Sequence, residues 1–351
     1  SGEALEQAAE AAQVLDGLDM TAEQAQQGAE VPMSRAMYLE SALEDRENIS
    51  LNAPKEIEAW TQRMRQAQTM RVEQPASLQA TLRSYQLEGL SWLCALSDAG
   101  FNGILADDMG LGKTIQALSL LLWEQEQGRD VHALVVCPAS LQLNWLAESR
   151  KFAPGLVSMS LLGSAKERVE IIRSENRPNL LITSYDQLRR DVQAYQGVTF
   201  THVLLDEAQN IKNAASQAAK AVKTIQSEHR FAMTGTPIEN RLSELWSIFD
   251  FLLPGYLGTQ ASFLRRYGGG EHAEELRERI RPFLMRRLKD EVLKDLPKKH
   301  EQSLYAAMTP EQAVVYDGLM QTLRQHVGQA LADGSLPRAR MQVLSILLKL
   351  R

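Results

Sequence analysis

From about residue 78 onward, short apolar runs alternate with amphipathic stretches. The strand candidates 103–106, 133–137, 157–161, 179–183, 202–205 and 230–233 are mostly continuous rather than alternating in their apolar pattern, as in strands buried on both faces of a parallel sheet. Between them, 84–98, 113–126, 141–152, 164–174, 185–195 and 213–226 carry apolar residues at helical spacing. This alternation predicts an α/β fold, a mainly parallel sheet sandwiched by helices. Ligands in such folds bind at the carboxyl ends of the strands.

The flanks lack strands. Residues 1–15 are rich in Ala, Glu and Gln, with Leu5, Ala8, Ala12 and Leu15 near helical spacing. Segments 34–48 and 55–72 read as further helices, and Gln74-Pro75 closes this part. Beyond about residue 240, helices are expected at 241–253, 260–267, 271–294 and 310–332, with a break at Gly268-Gly269-Gly270. The expected organisation is a helical unit over 1–77, an α/β lobe over 78–253 and a helical part over 254–351. The last residues, Met341 to Arg351, form an apolar helical stretch without a cap, so a longer parent protein is expected.

Composition narrows the class. No apolar run is long enough to cross a bilayer, and Ser1-Gly2-Glu3-Ala4 does not open a secretory signal. Cys94 and Cys137 sit in apolar stretches and read as buried reduced thiols, which implies a reducing, cytoplasmic setting. The net charge of −6 does not announce a nucleic-acid binder. Its distribution is uneven: 1–58 holds only Arg35, Arg46 and Lys55 as bases, whereas 277–299 holds Arg277, Arg279, Arg281, Arg286, Arg287, Lys289, Lys294, Lys298 and Lys299. Such a run can bind phosphates or can be a solvated helical face.

The most specific chemistry lies at Ile104-Leu105-Ala106-Asp107-Asp108-Met109-Gly110-Leu111-Gly112-Lys113-Thr114. A strand, a glycine-bearing turn and Gly-Lys-Thr opening a helix build a nest of backbone N–H groups for a phosphate chain. Lys113 reaches the β/γ-phosphates in this pattern and Thr114 offers a hydroxyl to Mg²⁺. Asp107 departs from the usual pattern, which has glycine at that position. A second strand, His202-Val203-Leu204-Leu205, runs into Asp206-Glu207-Ala208-Gln209. Asp206 can hold Mg²⁺ and Glu207 can orient and deprotonate an attacking water. A third strand end, Thr234-Gly235-Thr236-Pro237, offers hydroxyls that can link the acidic pair to other parts of the molecule.

With these motifs placed, the chain resembles the first RecA-like lobe and helical protrusion of the Swi/Snf-type ATPases, helicase-related translocases of superfamily two, in a prokaryotic version. The resemblance rests on residues 82–351. Leu82 to Gly89 resembles the adenine-side motif, with Gln86 as base reader, and Leu105 to Thr114 the family's phosphate loop, which carries an acid where Asp107 stands. Val136 to Leu141 with Asn144-Trp145, Ile182 to Tyr185, Asp206 to Asn213 and Thr234 to Asn240 resemble motifs Ia, Ib, II (a DEAQ box) and III. Pro282 to Arg287 and Leu296 to Lys299 resemble stretches of the protrusion. Many members have His where Gln209 stands.

The resemblance implies Mg²⁺-dependent ATP hydrolysis and movement along duplex DNA without strand separation, by a monomeric, nucleoid-associated protein that acts on DNA or on proteins bound to it. It implies a nucleotide site made by Gln86, Asp107, Met109, Gly110, Leu111, Gly112, Lys113, Thr114 and Ile115, with Lys113, Asp206, Glu207 and Gln209 catalytic and Thr114 and Asp206 on the metal. Thr234, Gly235 and Thr236 are expected to couple nucleotide state to the rest of the motor. Ser140, Asn144, Thr183, Tyr185, Lys212 and Asn240 are expected on DNA phosphates, and Trp145 in helix packing, since a duplex offers no unstacked base. In the family a second lobe supplies the arginines that complete the ATP site. A second reading therefore stands beside the motor: the lobe alone as a catalytically weak module that binds nucleotide and partners.

Overall fold

A computed structural model of the chain describes residues 62–63, 66–67, 69–235, 242–270, 272–292, 307–332 and 336–350. The helices expected over 1–15 and 34–48, and most of 55–72, lie outside the described residues. The chain divides into two compact units at Lys294/Asp295.

In the first unit the elements run α1 (Ser84–Asp98), β1 (Gly103–Leu105), α2 (Lys113–Glu126), β2 (Ala133–Cys137), α3 (Gln142–Phe152), β3 (Ser158–Ser160), α4 (Ala165–Arg173), β4 (Leu180–Ser184), α5 (Tyr185–Arg190), β5 (Thr199–Asp206), α6 (Gln217–Lys223) and β6 (Gln226–Met233). They continue through α7 (Leu242–Leu252), α8 (Gln260–Tyr267), α9 (Ala273–Ile280), β7 (Leu284–Met285) and α10 (Lys289–Val292). The second unit holds α11 (Pro310–Ala332) and α12 (Leu336–Leu350).

The described strands form one parallel sheet in the order β3-β4-β2-β5-β6-β1-β7. Ile104, Leu134, Val135, Leu181, Ile182, Val203 and Leu205 are fully buried in it, as runs without alternation require. Helices start where side chains can take up free backbone N–H groups. Ser164 with Glu167 caps α4, Ser184 with Gln187 caps α5, and Ser216 caps α6. Cys94 and Cys137 are free and buried.

The single helix expected over 271–294 is not formed. α9 stops at Ile280, a short turn containing Pro282 comes next, and Leu284-Met285 pair with Ile104-Leu105 as an edge strand. Proline lacks the N–H and clashes with the preceding turn, so the periodic pattern breaks there. The packing boundary at 294/295 accordingly lies beyond the expected boundary at 253. The helix expected over 213–226 is also shorter, because β6 begins at Gln226.

A buried polar cluster closes the sheet where β5 and β6 begin. The register sets His202 opposite His229, with the rings stacked at 5.0 Å. Glu124 of α2 accepts from Ser97 of α1 at 2.5 Å and from Arg129 at 2.9 Å, and lies 3.6 Å from His202 Nε2. Burial, then the neighbouring His202, push the His229 imidazole down to about 4, against the pull of Glu124 and with the help of Arg129. Unfolded, the same ring titrates near 6.5. The native state therefore binds fewer protons, and stability from this group, full above about pH 6.5, is lost as pH falls toward 4. Between pH 7 and pH 5 this linkage costs about 2 kcal/mol. Urea unfolding at the two pH values is expected to show that loss in the unaltered chain and a loss smaller by about that amount in His229→Gln; equal losses would exclude His229 as the group responsible.

Candidate active site

β1, β6 and β5 end in one row: Leu105 pairs with Met233, and Met233 with Asp206. The residues just past each strand therefore emerge side by side at the carboxyl edge of the sheet. After β1 the chain forms a loop whose glycines, Gly110 (φ 86°) and Gly112 (φ 81°), occupy left-handed backbone that other residues rarely adopt. Gly112 also makes room for Gln86, whose Nε2 would lie 2.5 Å from a Cβ at that position. Gln86 donates to the Leu111 carbonyl at 3.1 Å. The predicted adenine-side residue thus rests on the phosphate loop.

Lys113 opens α2 and folds back over the loop, donating to the Asp107 carbonyl at 2.6 Å and to the Asp108 carbonyl at 3.3 Å. Burial lowers the pKa of its ammonium, while Glu207, Asp107, Asp206 and Asp108 pull the other way, Glu207 most strongly. The ammonium is therefore within electrostatic reach of the acids at the end of β5. Thr114 and Ile115 are half-buried in the first turn of α2, Leu111 is buried and Met109 is exposed. The Asp107 carboxylate is fully buried on Arg287 and Gln116. Its side chain is committed to the protein, and what it offers the site is its backbone.

Asp206, the last residue of β5, is almost fully buried. Its Oδ2 accepts from the Trp145 indole at 2.8 Å, its Oδ1 from the Glu207 amide at 3.0 Å, and its carbonyl from the Tyr185 hydroxyl at 2.8 Å. Burial raises the carboxyl's pKa; the Trp145 bond opposes this, and the Glu207 charge adds to it. Glu207 is the one non-glycine among the described residues with positive φ, at 49°. Side chains other than glycine take that conformation at a cost of order 1 kcal/mol, and it turns Glu207 sharply out of the strand line. Its carboxylate accepts from Gln209 at 2.7 Å, and Gln209 in turn accepts from the Thr234 hydroxyl at 2.9 Å. A wire of short polar contacts thus joins the acid pair to the end of β6. Gly235 lies against Met109 of the loop, 3.1 Å from where a Cβ would stand.

The expected DNA-facing set divides. Ser140 and Asn144 are exposed, and Lys212 is partly exposed 3.8 Å from Glu244. Thr183 and Tyr185 do not fit that expectation: Thr183 is 1% exposed on β4, one strand in from the sheet edge, and Tyr185 is 7% exposed with its hydroxyl on the Asp206 carbonyl. Side chains so enclosed cannot present themselves to a duplex; Tyr185 instead holds the Asp206 carbonyl. Thr236 and Asn240 lie outside the described residues.

Two partners of the site are absent from the expected set. Trp145 is packed in helix α3, as expected, but its indole N–H also holds Asp206. A buried indole needs an acceptor, which is the only hint sequence provides. Arg287, on the extended segment after β7, holds Asp107 across 180 positions of sequence, and nothing local marks it within its basic run.

A glycine-shaped loop, a lysine at a helix start and an acid pair on the same sheet edge have the arrangement of a P-loop on a RecA-like sheet. Residues 85–351 match the model of the SNF2-related domain, and the chain belongs to that family. It is 39% identical over 274 residues to an uncharacterized ATP-dependent helicase of Mycoplasma genitalium, covering 77% of this chain and 26% of that protein. It is 38% identical over 262 residues to a putative ATP-dependent helicase/translocase of Bacillus subtilis (72% and 28%). With TATA-binding protein-associated factor 172 of Homo sapiens it shares 37% identity over 275 residues (69% and 15%). The chain thus spans between 15% and 28% of these relatives. Among solved structures it resembles the Sulfolobus solfataricus SWI2/SNF2 ATPase core in complex with dsDNA, with a TM-score of 0.60 and 35% identity, covering 80% of this chain and 62% of that one.

The Trp145 bond carries a stability prediction. Trp145→Phe keeps most of the ring packing but strips a buried carboxylate oxygen of its donor, which costs about 1–3 kcal/mol. Urea denaturation is expected to show a loss in that range; a midpoint unchanged from the parent sequence would mean that the bond contributes nothing.

Proposed function

We propose that this chain is the ATP-binding lobe of a motor that hydrolyses ATP and moves along duplex DNA. The observation that carries the reading is the strand register, which brings the loop that leads to Lys113 and the pair Asp206-Glu207 to one sheet edge, with Gln86 resting on that loop. In this proposal the loop amides and Lys113 hold the triphosphate, Gln86 reads the base, and Glu207 orients the water and takes its proton. Gln209 and Thr234 sense the position of Glu207 and pass it on through β6.

Mg²⁺ fits the residues present. A hydroxyl on Thr114 and a carboxylate on Asp206 are hard oxygen donors, and among the described residues no cluster of three or more acids, His or Cys could cage a metal alone. That suits an ion held by a few protein oxygens together with nucleotide phosphates. Bound there, Mg²⁺ would neutralise charge on the β- and γ-phosphates. The raised pKa of buried Asp206 means that its ionised form gains from a nearby cation.

Ser140, Asn144 and Lys212 are proposed to meet the duplex backbone, contacts that position the lobe without reading sequence. A name shared by several relatives, TATA-binding protein-associated factor, favours a DNA-bound protein as the object of the full motor's work. In this proposal a second lobe supplies further arginines. Such groups are worth roughly 10³–10⁵ in rate, so residues 1–351 alone are expected to bind nucleotide and turn it over poorly.

The test is an ATPase assay of the longer parent with duplex DNA, single-stranded DNA, RNA or no polymer. Stimulation by duplex DNA, abolished in Lys113→Ala and in Glu207→Gln, is expected; turnover that persists in either variant rejects the assigned site. Vigorous DNA-stimulated hydrolysis by residues 1–351 by themselves would show that the site is complete without a second lobe.

A further inference from the structure

The phosphate loop is gripped from outside by the segment just past β7. Three bonds from backbone amides tie the two together: Ala106 N to the Met285 carbonyl at 2.7 Å, Asp108 N to the Arg287 carbonyl at 3.0 Å, and Lys289 N to Asp108 Oδ2 at 3.0 Å. In the middle of this seam Arg287 forks onto Asp107, with Nε 2.9 Å from Oδ1 and Nη2 2.5 Å from Oδ2. It also donates to Gln116 Oε1 at 2.8 Å and to the Tyr85 carbonyl. Gln116 completes the ring by donating to Asp107 Oδ2 at 3.2 Å. Gly89 of α1 leaves space for the group: a Cβ there would overlap Gln116 Oε1 and lie 2.6 Å from Arg287 Nη2.

The residue held so tightly is the one that holds the lysine. Asp107 accepts Arg287 through its side chain and Lys113 through its carbonyl. A glycine at that position, the usual P-loop residue, would give an arginine nothing to grip. A bidentate, desolvated guanidinium–carboxylate pair fixes orientation more sharply than any single hydrogen bond. We propose that Arg287 is a positioning residue for the nucleotide: acting through Asp107, it keeps the phosphate loop and Lys113 in the binding shape before nucleotide arrives. This role rests on the proposal that the loop binds nucleotide. A preordered loop does not have to be ordered at the expense of affinity when the ligand binds. Without Arg287, the buried Asp107 carboxylate loses its direct ion-pair partner, since Lys113 touches only its carbonyl; the loop must shift to solvate it, and the amides and Lys113 shift with it.

The test compares Arg287→Met, Arg287→Lys, Asp107→Asn and the Asp107→Asn/Arg287→Met double variant of residues 1–351. Two readouts are taken: ADP affinity by calorimetry and amide hydrogen exchange over residues 106–113. Arg287→Met is expected to weaken ADP by roughly tenfold or more, about 1.4 kcal/mol, and to speed exchange over 106–113 while the β2–β4 amides stay protected. The double variant is expected to regain part of the loss, since the stranded carboxylate is gone. A role in general packing would give additive losses and exchange spread through the sheet. Should Arg287→Met not fold, Arg287→Lys makes the same comparison, because an ammonium cannot reach Asp107, Gln116 and the Tyr85 carbonyl together. Unchanged ADP affinity in a folded Arg287 variant, or strictly additive losses, would overturn the proposal. If the unaltered chain itself failed to bind ADP, the nucleotide reading would fall and this one with it; a binding parent with unaffected variants would remove the brace alone.

Discussion

The site depends on the register of four parallel strands. Asp206, Met233, Leu105 and Met285 form one row across the carboxyl edge of the sheet. Just past each of them lies a piece of the machinery: Glu207 after β5, Thr234 after β6, the phosphate loop after β1 and Arg287 shortly after β7. Backbone pairing spaces neighbouring strands by about 4.8 Å, so the row sets the distances between these pieces before any side chain is chosen. A slip of one residue on β5 would turn Asp206 and its neighbours to opposite faces of the sheet and leave Lys113 without the acids it faces. The apolar runs that bury both faces are what make such slips costly.

On that frame the charges hold one another in check. Lys113 is partly desolvated and leans on two loop carbonyls, while four carboxylates stabilise its charged form. Asp206 is desolvated too and is kept in place by Trp145 and Tyr185. The groups are packed tightly enough to stay oriented but are not locked to each other: no direct ion pair joins Lys113 to Asp206 or Glu207 among the described contacts. A triphosphate with its metal would bring both charge signs into the gap between them. Preorganised charges of this kind are worth more in a buried cleft than in water, because nothing has to be reoriented at the moment of reaction.

Much of this was legible in the sequence. The strand runs revealed the sheet, because continuous burial leaves a continuous apolar trace. The loop and acid pair were legible because their chemistry needs particular residues at fixed local spacing: glycines for positive φ, a lysine at a helix start, two acids at a strand end. The features that escaped are non-local. β7 has two residues, too few to show any periodicity, and it sits in a stretch whose flanks are helical. The partners of Asp107 and Asp206 come from other elements, so neither Arg287 nor Trp145 carries a local mark of its role. Thr183 and Tyr185 failed as surface residues for a similar reason. Thr183 lies near the end of β4 and Tyr185 opens α5, where a polar side chain can face either the solvent or the protein interior, and burial depends on neighbours that sequence does not reveal.

The acid at position 107 is where sheet register, buried charge and loop shape meet. Buried ion pairs are poor evidence of stability, since desolvation offsets most of their attraction. A well-packed apolar pair in place of Asp107 and Arg287 could serve the fold equally well. An apolar pair cannot, however, fix the direction of a carbonyl. Asp107 must aim its backbone oxygen at Lys113 while its neighbours adopt left-handed glycine conformations, and a flexible loop would sample many alternatives to that shape. The forked contact to Arg287 removes those alternatives by holding the residue at both oxygens. In this proposal the loop obtains its shape from a segment far along the chain, and the same sheet edge that lines up the phosphate loop with the acid pair also carries the Arg287 contact.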